Sequence, residues 1–245
     1  MENFVLVVMG LFTGLIDSVV GGGGLISLPT LSLLIAPGAM AIGTNKIVGT
    51  LGASVALFVY ARKGHLKIKE GIYFCLICAL GSFIGSSSAP YVSIVFFKYL
   101  LIIMCPVILW IVLNKNRFVR DVQSDTKINP YLFLVFGLLS GFYDGFFGPG
   151  GGTFMFLSLY LGTGLPLLSS IAISKLANTI SASTALVTYH TGGYVHWREG
   201  LIMGVGMIVG SYWGATIATT WSHKIIRPML IVVVSLLLLK IIFFE

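Results

Sequence analysis

The chain carries very little charge. Of its 245 residues, 9% are Asp, Glu, Lys or Arg, against roughly 25% in a soluble domain that must wet its surface. That shortage excludes a water-soluble globule of this size. No polar stretch is long enough to fold as a soluble domain, so the function must sit in the apolar part. Cysteine is scarce too, and three residues exclude a disulfide framework. Cys75 and Cys78 form a C-x-x-C inside the apolar run Ile72–Phe83. No strand-to-helix redox context surrounds them, so they read as small polarizable core residues, with a thiol role toward a sulfur substrate as the alternative. The phosphate-loop pattern G-x-x-x-x-G-K-[ST] is absent. His190 reads as a structural neighbour of Tyr189, because no partner stands at metal-ligand spacing. No metal, cofactor or catalytic residue is expected.

What is present is hydrophobic. Apolar residues make up 57% of the chain, and mean hydropathy is +1.00. Apolar runs of about 18 residues or more recur from end to end, long enough to span a bilayer. The formal charge of +7 could suggest nucleic acid. The basic residues instead sit in short loops between apolar runs, the pattern of the positive-inside rule, so no nucleic-acid partner is expected. The first twenty residues begin Met1-Glu2-Asn3 and lack a basic n-region. A related segment recurs in mid-chain, so the first one is expected to be structural and retained.

That recurrence is a tandem repeat. Gly10-Leu-Phe-Thr-Gly14-Leu-Ile-Asp17-Ser-Val-Val-Gly21-Gly-Gly-Gly24 answers to Gly137-Leu-Leu-Ser-Gly141-Phe-Tyr-Asp144-Gly-Phe-Phe-Gly148-Pro-Gly-Gly151, at a constant offset of 127 residues. Farther on the offset is 129. Lys46 answers to Lys175, Thr50 to Thr179, Ser54 to Ser183, Tyr60 to Tyr189, and Glu70-Gly71 to Glu199-Gly200. Charged residues are rare here, so matching Asp17 with Asp144 and Lys46 with Lys175 weighs more than matching glycines. The expected organisation is a first membrane repeat (1–118), a cytoplasmic linker (119–129) within a polar stretch that begins at Asn114, and a second repeat (130–245).

Each half reads as an apolar segment (Phe4–Val20; Tyr131–Phe147), a glycine loop and a short apolar piece (Leu25–Ile35; Thr153–Leu161). A full span follows (Ile42–Tyr60; Ile171–Tyr189), then a loop and two further spans (Gly71–Ser88 and Tyr91–Leu113; Gly200–Thr220 and Ile225–Phe244). Arg62, Lys63, Lys67 and Lys69 mark the first inner loop as cytoplasmic; Thr191–Arg198, its counterpart, holds one Arg and no Lys. Lys224 and Arg227 mark a later turn as cytoplasmic. Both termini then fall outside, and each half crosses an odd number of times. The expected fold is all-α: a polytopic membrane protein of two inverted helical repeats with glycine-broken or re-entrant helices.

The site follows from the breaks. Glycine costs roughly 1 kcal/mol per residue in a helix interior relative to alanine, so Gly21, Gly22, Gly23 and Gly24 should unwind. Irregular backbone at membrane depth is tolerated only inside protein or beside a water-filled cavity. The helix restarting just beyond offers unpaired N–H groups and the positive end of its dipole, an anion seat. Gly148, Gly150, Gly151 and Gly152, before Thr153, repeat the device. Close helix packing is the alternative, assigned here to the G-x-x-x-G spacings at Gly10/Gly14, Gly81/Gly85, Gly137/Gly141 and Gly210/Gly214. Asp17 and Asp144 stand roughly 20 Å into their segments at 1.5 Å per residue, so they should face the interior. Each could couple protons, shape its loop, cap a helix or pair with a lysine. Lys46 with Thr50 and Asn45, and Lys175 with Thr179 and Asn178, place a cation, a hydroxyl and an amide beside one another, a set suited to an oxyanion; snorkelling lysines are the alternative. Tyr60, Tyr189, Trp197, Glu70 and Glu199 sit at loop edges and read as interfacial anchors.

At these residues the chain resembles the TauE/SafE (TSUP) family of sulfite and organosulfonate permeases, and within it the branch of probable membrane transporter proteins. The carrying stretches are Gly14-Leu-Ile-Asp17-Ser-Val-Val-Gly21-Gly-Gly-Gly24-Leu-Ile-Ser-Leu-Pro29, Gly43-Thr-Asn-Lys46 and Gly141-Phe-Tyr-Asp144-Gly-Phe-Phe-Gly148-Pro-Gly. The resemblance implies a multi-pass carrier of the bacterial inner membrane for a small anion, often sulfur-containing, driven by an ion gradient. Its partners would be that solute and the lipid bilayer, with a homo-oligomer left open. The alternatives are an anion channel or facilitator of the same fold, and an intramembrane enzyme using Ser86–Ser88 and His190, around which no nucleophile motif stands.

Overall fold

The structure, a computed structural model, describes residues 2–35, 38–93, 95, 130–163 and 165–243. The expected linker (119–129) and most of the expected span Tyr91–Leu113 lie outside the described residues. Every regular element among the described residues is helical. In the first half, α1 runs Glu2–Val20, α2 Gly24–Leu34, α3 Ala39–Arg62 and α4 Ile68–Ser88, closed by a 3₁₀ turn at Ala89–Tyr91. In the second, α5 runs Pro130–Phe146, α6 Gly151–Thr163, α7 Leu167–Thr191 and α8 Trp197–Phe243. Both helix breaks fall at the glycine runs. Among the described residues, four stretches are long and apolar enough to cross a membrane: Glu2–Val19, Ala39–Arg62, Gly71–Tyr91 and Trp197–Thr220.

The two halves are packed through one another. α1 lies along α8 of the opposite half, and α5 lies along α4. α3 and α7 form the centre, with α8 against α3 and α4 against α7. Exchanging the halves maps this set of pairings onto itself, as a two-fold relation requires. Directions follow from the close contacts. Gly10 meets Met203 and Gly14 meets Met207, so α1 and α8 run parallel. Gly141 meets Cys78 and Gly145 meets Ser82, so α5 and α4 do as well. Gly43 near the start of α3 meets Tyr189 near the end of α7, so the central pair is antiparallel. The loops after α3 and α7 therefore lie at opposite ends of that pair.

Glycine sets the first two contacts. A side chain at Gly14, Gly141 or Gly210 would collide with the backbone of the facing helix. Backbone-on-backbone approach is how small-residue stripes hold membrane helices together. The polarity is reversed relative to a soluble protein. Phe4, Tyr73, Leu76, Val187 and Val205 face outward, while Asp17, Lys46, Asp144 and Lys175 are buried. A perimeter of this kind suits lipid, and ionisable groups held within suit a polar pathway.

One expected break is missing. The turn that Lys224 and Arg227 should mark is absent from the backbone, where α8 continues for 47 residues. No glycine follows Gly214, and Pro228 is the only strong helix breaker in that stretch. Charge alone does not end a helix, and Pro228 is carried inside this one at a cost of about 3 kcal/mol.

Candidate functional site

The site is built where α1 and α5 stop. Gly21 and Gly22 adopt φ of 85° and 94°, and Gly148 and Gly150 adopt 101° and 80°. Residues with a Cβ rarely enter that left-handed region, so glycine is required for the chain to leave the helix there. The loops then meet. A Cβ on Gly21 would lie 2.5 Å from the Thr153 nitrogen, and one on Gly24 2.9 Å from Pro149 Cα. Two unwound segments thus cross backbone to backbone.

The first loop is tied to a carboxylate. Asp17 Oδ1 accepts the Gly23 N–H at 3.1 Å, joining the last turn of α1 to the start of α2. Its Oδ2 lies 3.0 Å from Lys175 Nζ, and Lys175 also donates to the Asp17 carbonyl oxygen. The second half repeats the lysine contacts. Lys46 Nζ lies 3.3 Å from Asp144 Oδ1 and donates to the Asp144 carbonyl oxygen. Each aspartate therefore pairs with the lysine of the other half. The lysine side chains are 3% and 1% exposed, so neither snorkels to a headgroup. Losing one member of such a buried pair leaves an uncompensated charge and costs about 3–5 kcal/mol.

Tyrosines brace the breaks. Tyr60 donates to the Ser18 carbonyl at 3.0 Å, and Tyr189 to the Gly145 carbonyl at 2.9 Å. Both rings are buried, which corrects the reading of these residues as interfacial anchors. Each hydroxyl satisfies a carbonyl near the end of a broken helix, where the intrahelical ladder runs out. The loop after α7 behaves differently. Trp197 donates its indole N–H to His190 Nδ1 at 3.3 Å, and Glu199 lies 3.7 Å from His196 Nδ1.

A small cavity of about 30 Å³ lies between the loops. Of the residues expected to bind solute, Gly22, Gly24, Asn45 and Lys46 line it from the first half. Gly148, Gly150, Gly152 and Asn178 line it from the second, and both Asp17 and Asp144 reach it. Gly21, Gly23, Gly151, Thr153 and Lys175 stand behind this wall, in the loops and the ion pairs. Thr50 and Thr179 are not brought to the cavity. Thr179 donates back to the Lys175 carbonyl at 2.8 Å, and Thr50 Oγ1 is buried with no hydrogen-bond partner.

The structure adds residues that the sequence reading missed. Thr13 lines the cavity one turn before Asp17, with Ser27, Val48, Gly49, Ala182 and Met207 beside it. Polar residues at i−4 from Asp17 and inside the apolar α2 were available as signals for Thr13 and Ser27. Ser181 donates to Asp144 Oδ2 at 2.6 Å. Its repeat counterpart is Gly52, so duplication gave no hint of it. Met207 packs against Gly52 and fills part of the space that a side chain there would take. Ser86 and Ser88 donate to Ser82 and Ile84 carbonyls of their own helix.

The chain has close relatives among known proteins. The family model described as sulfite exporter TauE/SafE matches residues 6–241. The chain is 35% identical over 230 residues to the probable membrane transporter protein ORF9 of Sinorhizobium sp, covering 93% of this chain and 87% of that protein. It is 32% identical over 244 residues to a probable membrane transporter protein of Haemophilus influenzae, covering 98% and 94%. It is 30% identical over 240 residues to the probable membrane transporter protein YfcA of Escherichia coli K12, covering 98% and 89%. No solved structure gives a significant match.

Proposed function

The chain belongs to the sulfite exporter TauE/SafE family of membrane transporters, and from that premise we propose that it is a secondary carrier of a small anion, held between the two glycine loops and moved by alternating access. The observation that carries the reading is the meeting of both loops at one cavity, each tied by its aspartate to a lysine of the opposite half. In this reading the halves lie inverted in the inner membrane, with the basic loop after α3 cytoplasmic and the loop after α7 outside. The antiparallel α3–α7 pair supports it, because matching elements of inverted repeats meet near the midplane. α2 and α6 begin at the cavity, so the positive ends of their dipoles face a bound anion.

The ion pairs are the moving joints. Both bridge the halves, so rocking one half against the other must strain or exchange them. A proton arriving at Asp17 or Asp144 removes one negative charge and frees the lysine facing it. That couples anion movement to a proton gradient, and Asp17→Asn abolishes the coupling. The family resemblance supports sulfite or a related sulfur oxyanion as the solute.

Uptake into proteoliposomes tests this. The panel is sulfite, taurine, sulfate and acetate, each with and without a pH gradient. Accumulation of one anion against its own gradient, driven by the pH difference, is the expected result. Flux that only equilibrates and ignores the pH difference identifies a channel of the same fold. No flux of any anion overturns the reading.

A further inference from the structure

The cavity is charge-balanced. Its ionisable side chains are Asp17, Asp144 and Lys46, with Lys175 directly behind, and they close into two lysine–aspartate pairs. Their formal charges cancel. What remains for a ligand is the start of α2 and the start of α6, through Gly24 and Gly152 in the cavity wall. Each helix N-terminus is equivalent to about half a positive charge, so the two together amount to about one. A singly charged anion is matched by this seat. A second negative charge would enter a low-dielectric cavity with nothing to answer it.

The hydrogen-bonding groups narrow the ligand further. Asn45 is 7% exposed, lines the cavity, and its Oδ1 is buried with no hydrogen-bond partner. A buried amide oxygen left unpaired is costly, and turning the amide offers its N–H2 to an oxyanion in the cavity. The two amides at the cavity, Asn45 and Asn178, are not repeat equivalents: the counterpart of Asn45 is Ser174, and that of Asn178 is Gly49. The seat is therefore one-sided although its scaffold is two-fold, and a ligand is held in one orientation. A void of about 30 Å³, against roughly 10–15 Å³ for a single water, suits a compact solute.

We propose that this seat selects the singly charged form of a small oxyanion, with the Asn45 amide hydrogen-bonded to it, and rejects dianions. The proposal rests on the anion-transport reading above and deepens it. In a deprotonating series the protein binds the monoanion, and affinity falls as the solute loses its last proton.

Full-length protein in detergent, with binding followed by calorimetry, tests this with three probes. Sulfite is titrated across the pH range where it passes from its singly to its doubly charged form. Methanesulfonate is a permanent monoanion. Sulfate is a dianion. Sulfite affinity should fall about tenfold per pH unit once the dianion dominates, in step with the shrinking monoanion fraction, while methanesulfonate affinity stays flat. Sulfate should bind at least about a hundredfold more weakly than hydrogen sulfite, as an uncompensated charge at membrane depth implies. Asn45→Leu should weaken hydrogen sulfite and methanesulfonate alike by about tenfold, the worth of one buried hydrogen bond.

Sulfate binding as tightly as hydrogen sulfite overturns the proposal and leaves anion transport standing. So does a parallel fall of sulfite and methanesulfonate with pH, because the titrating group is then on the protein. Unchanged binding of both monoanions in Asn45→Leu overturns the assigned hydrogen bond. If none of the three binds, the transport reading fails and this inference fails with it.

Discussion

At the scale of single residues, the four buried charges explain the most. Sequence reading picked out Asp17, Asp144, Lys46 and Lys175 because charges are rare in apolar runs and these fell in register. It left open which aspartate meets which lysine, since a pair within one half satisfies the same pattern. The partner choice depends on how the halves pack, which no spacing records. The structure pairs across the halves, and the lysines then serve the scaffold as much as the solute. Lys46→Ala and Lys175→Ala should each destabilise the protein by about 3–5 kcal/mol, visible as a large fall in Tm in detergent. Replacing both members of one pair by apolar residues, Lys46→Met with Asp144→Leu, should recover most of that stability and none of the transport. A double variant as unstable as the single one would mean that the pair is not an independent unit. Ser181 makes the two aspartates unequal. Ser181→Ala leaves Asp144 short of one hydrogen bond and should cost about 1–3 kcal/mol.

At the scale of elements, most boundaries were legible because strong breakers mark them. Both glycine runs stop a helix, and the short pieces after them begin within two residues of the expected points. The long α8 departs from this pattern: Lys224, Arg227 and Pro228 all stand inside one continuous helix, since charge alone does not end a helix and a lone proline can be carried within it. The same physics makes the loops sensitive. Gly21→Ala adds strain in a left-handed backbone and a methyl 2.5 Å from the Thr153 nitrogen. Uptake should be lost, with stability reduced by about 1–2 kcal/mol for the conformational part. Gly64→Ala makes a useful control: φ there is +76°, but nothing lies within 4 Å. Uptake should survive in that variant. Equal loss in both would point to strain rather than to loop contact. Elsewhere along the parallel pairs, Gly14→Leu should drive α1 from α8 and leave little folded protein after extraction.

At the scale of the whole molecule, the account is one unit used twice. The repeat offset carried this in the sequence. The cross-packing of α1 on α8 and α5 on α4 did not show there, because glycine spacings reveal that a helix packs closely but not on which partner. The departures from symmetry were illegible for a related reason. Asn45, Asn178 and Ser181 have no matching partner in the other half, and duplication was the signal that singled out the charges.

Sidedness tests the central claim most directly. Lys69 and Arg198 are exposed and occupy matching positions, 129 residues apart, at the starts of α4 and α8. In a background with the three native cysteines replaced, Lys69→Cys and Arg198→Cys would be treated with a membrane-impermeant thiol reagent, in right-side-out and in inverted vesicles. Inverted halves place Lys69→Cys within reach only in inverted vesicles and Arg198→Cys only in right-side-out ones. Labelling of both from the same side would mean that the halves lie parallel, and the two loops could not then form one seat in the middle of the membrane.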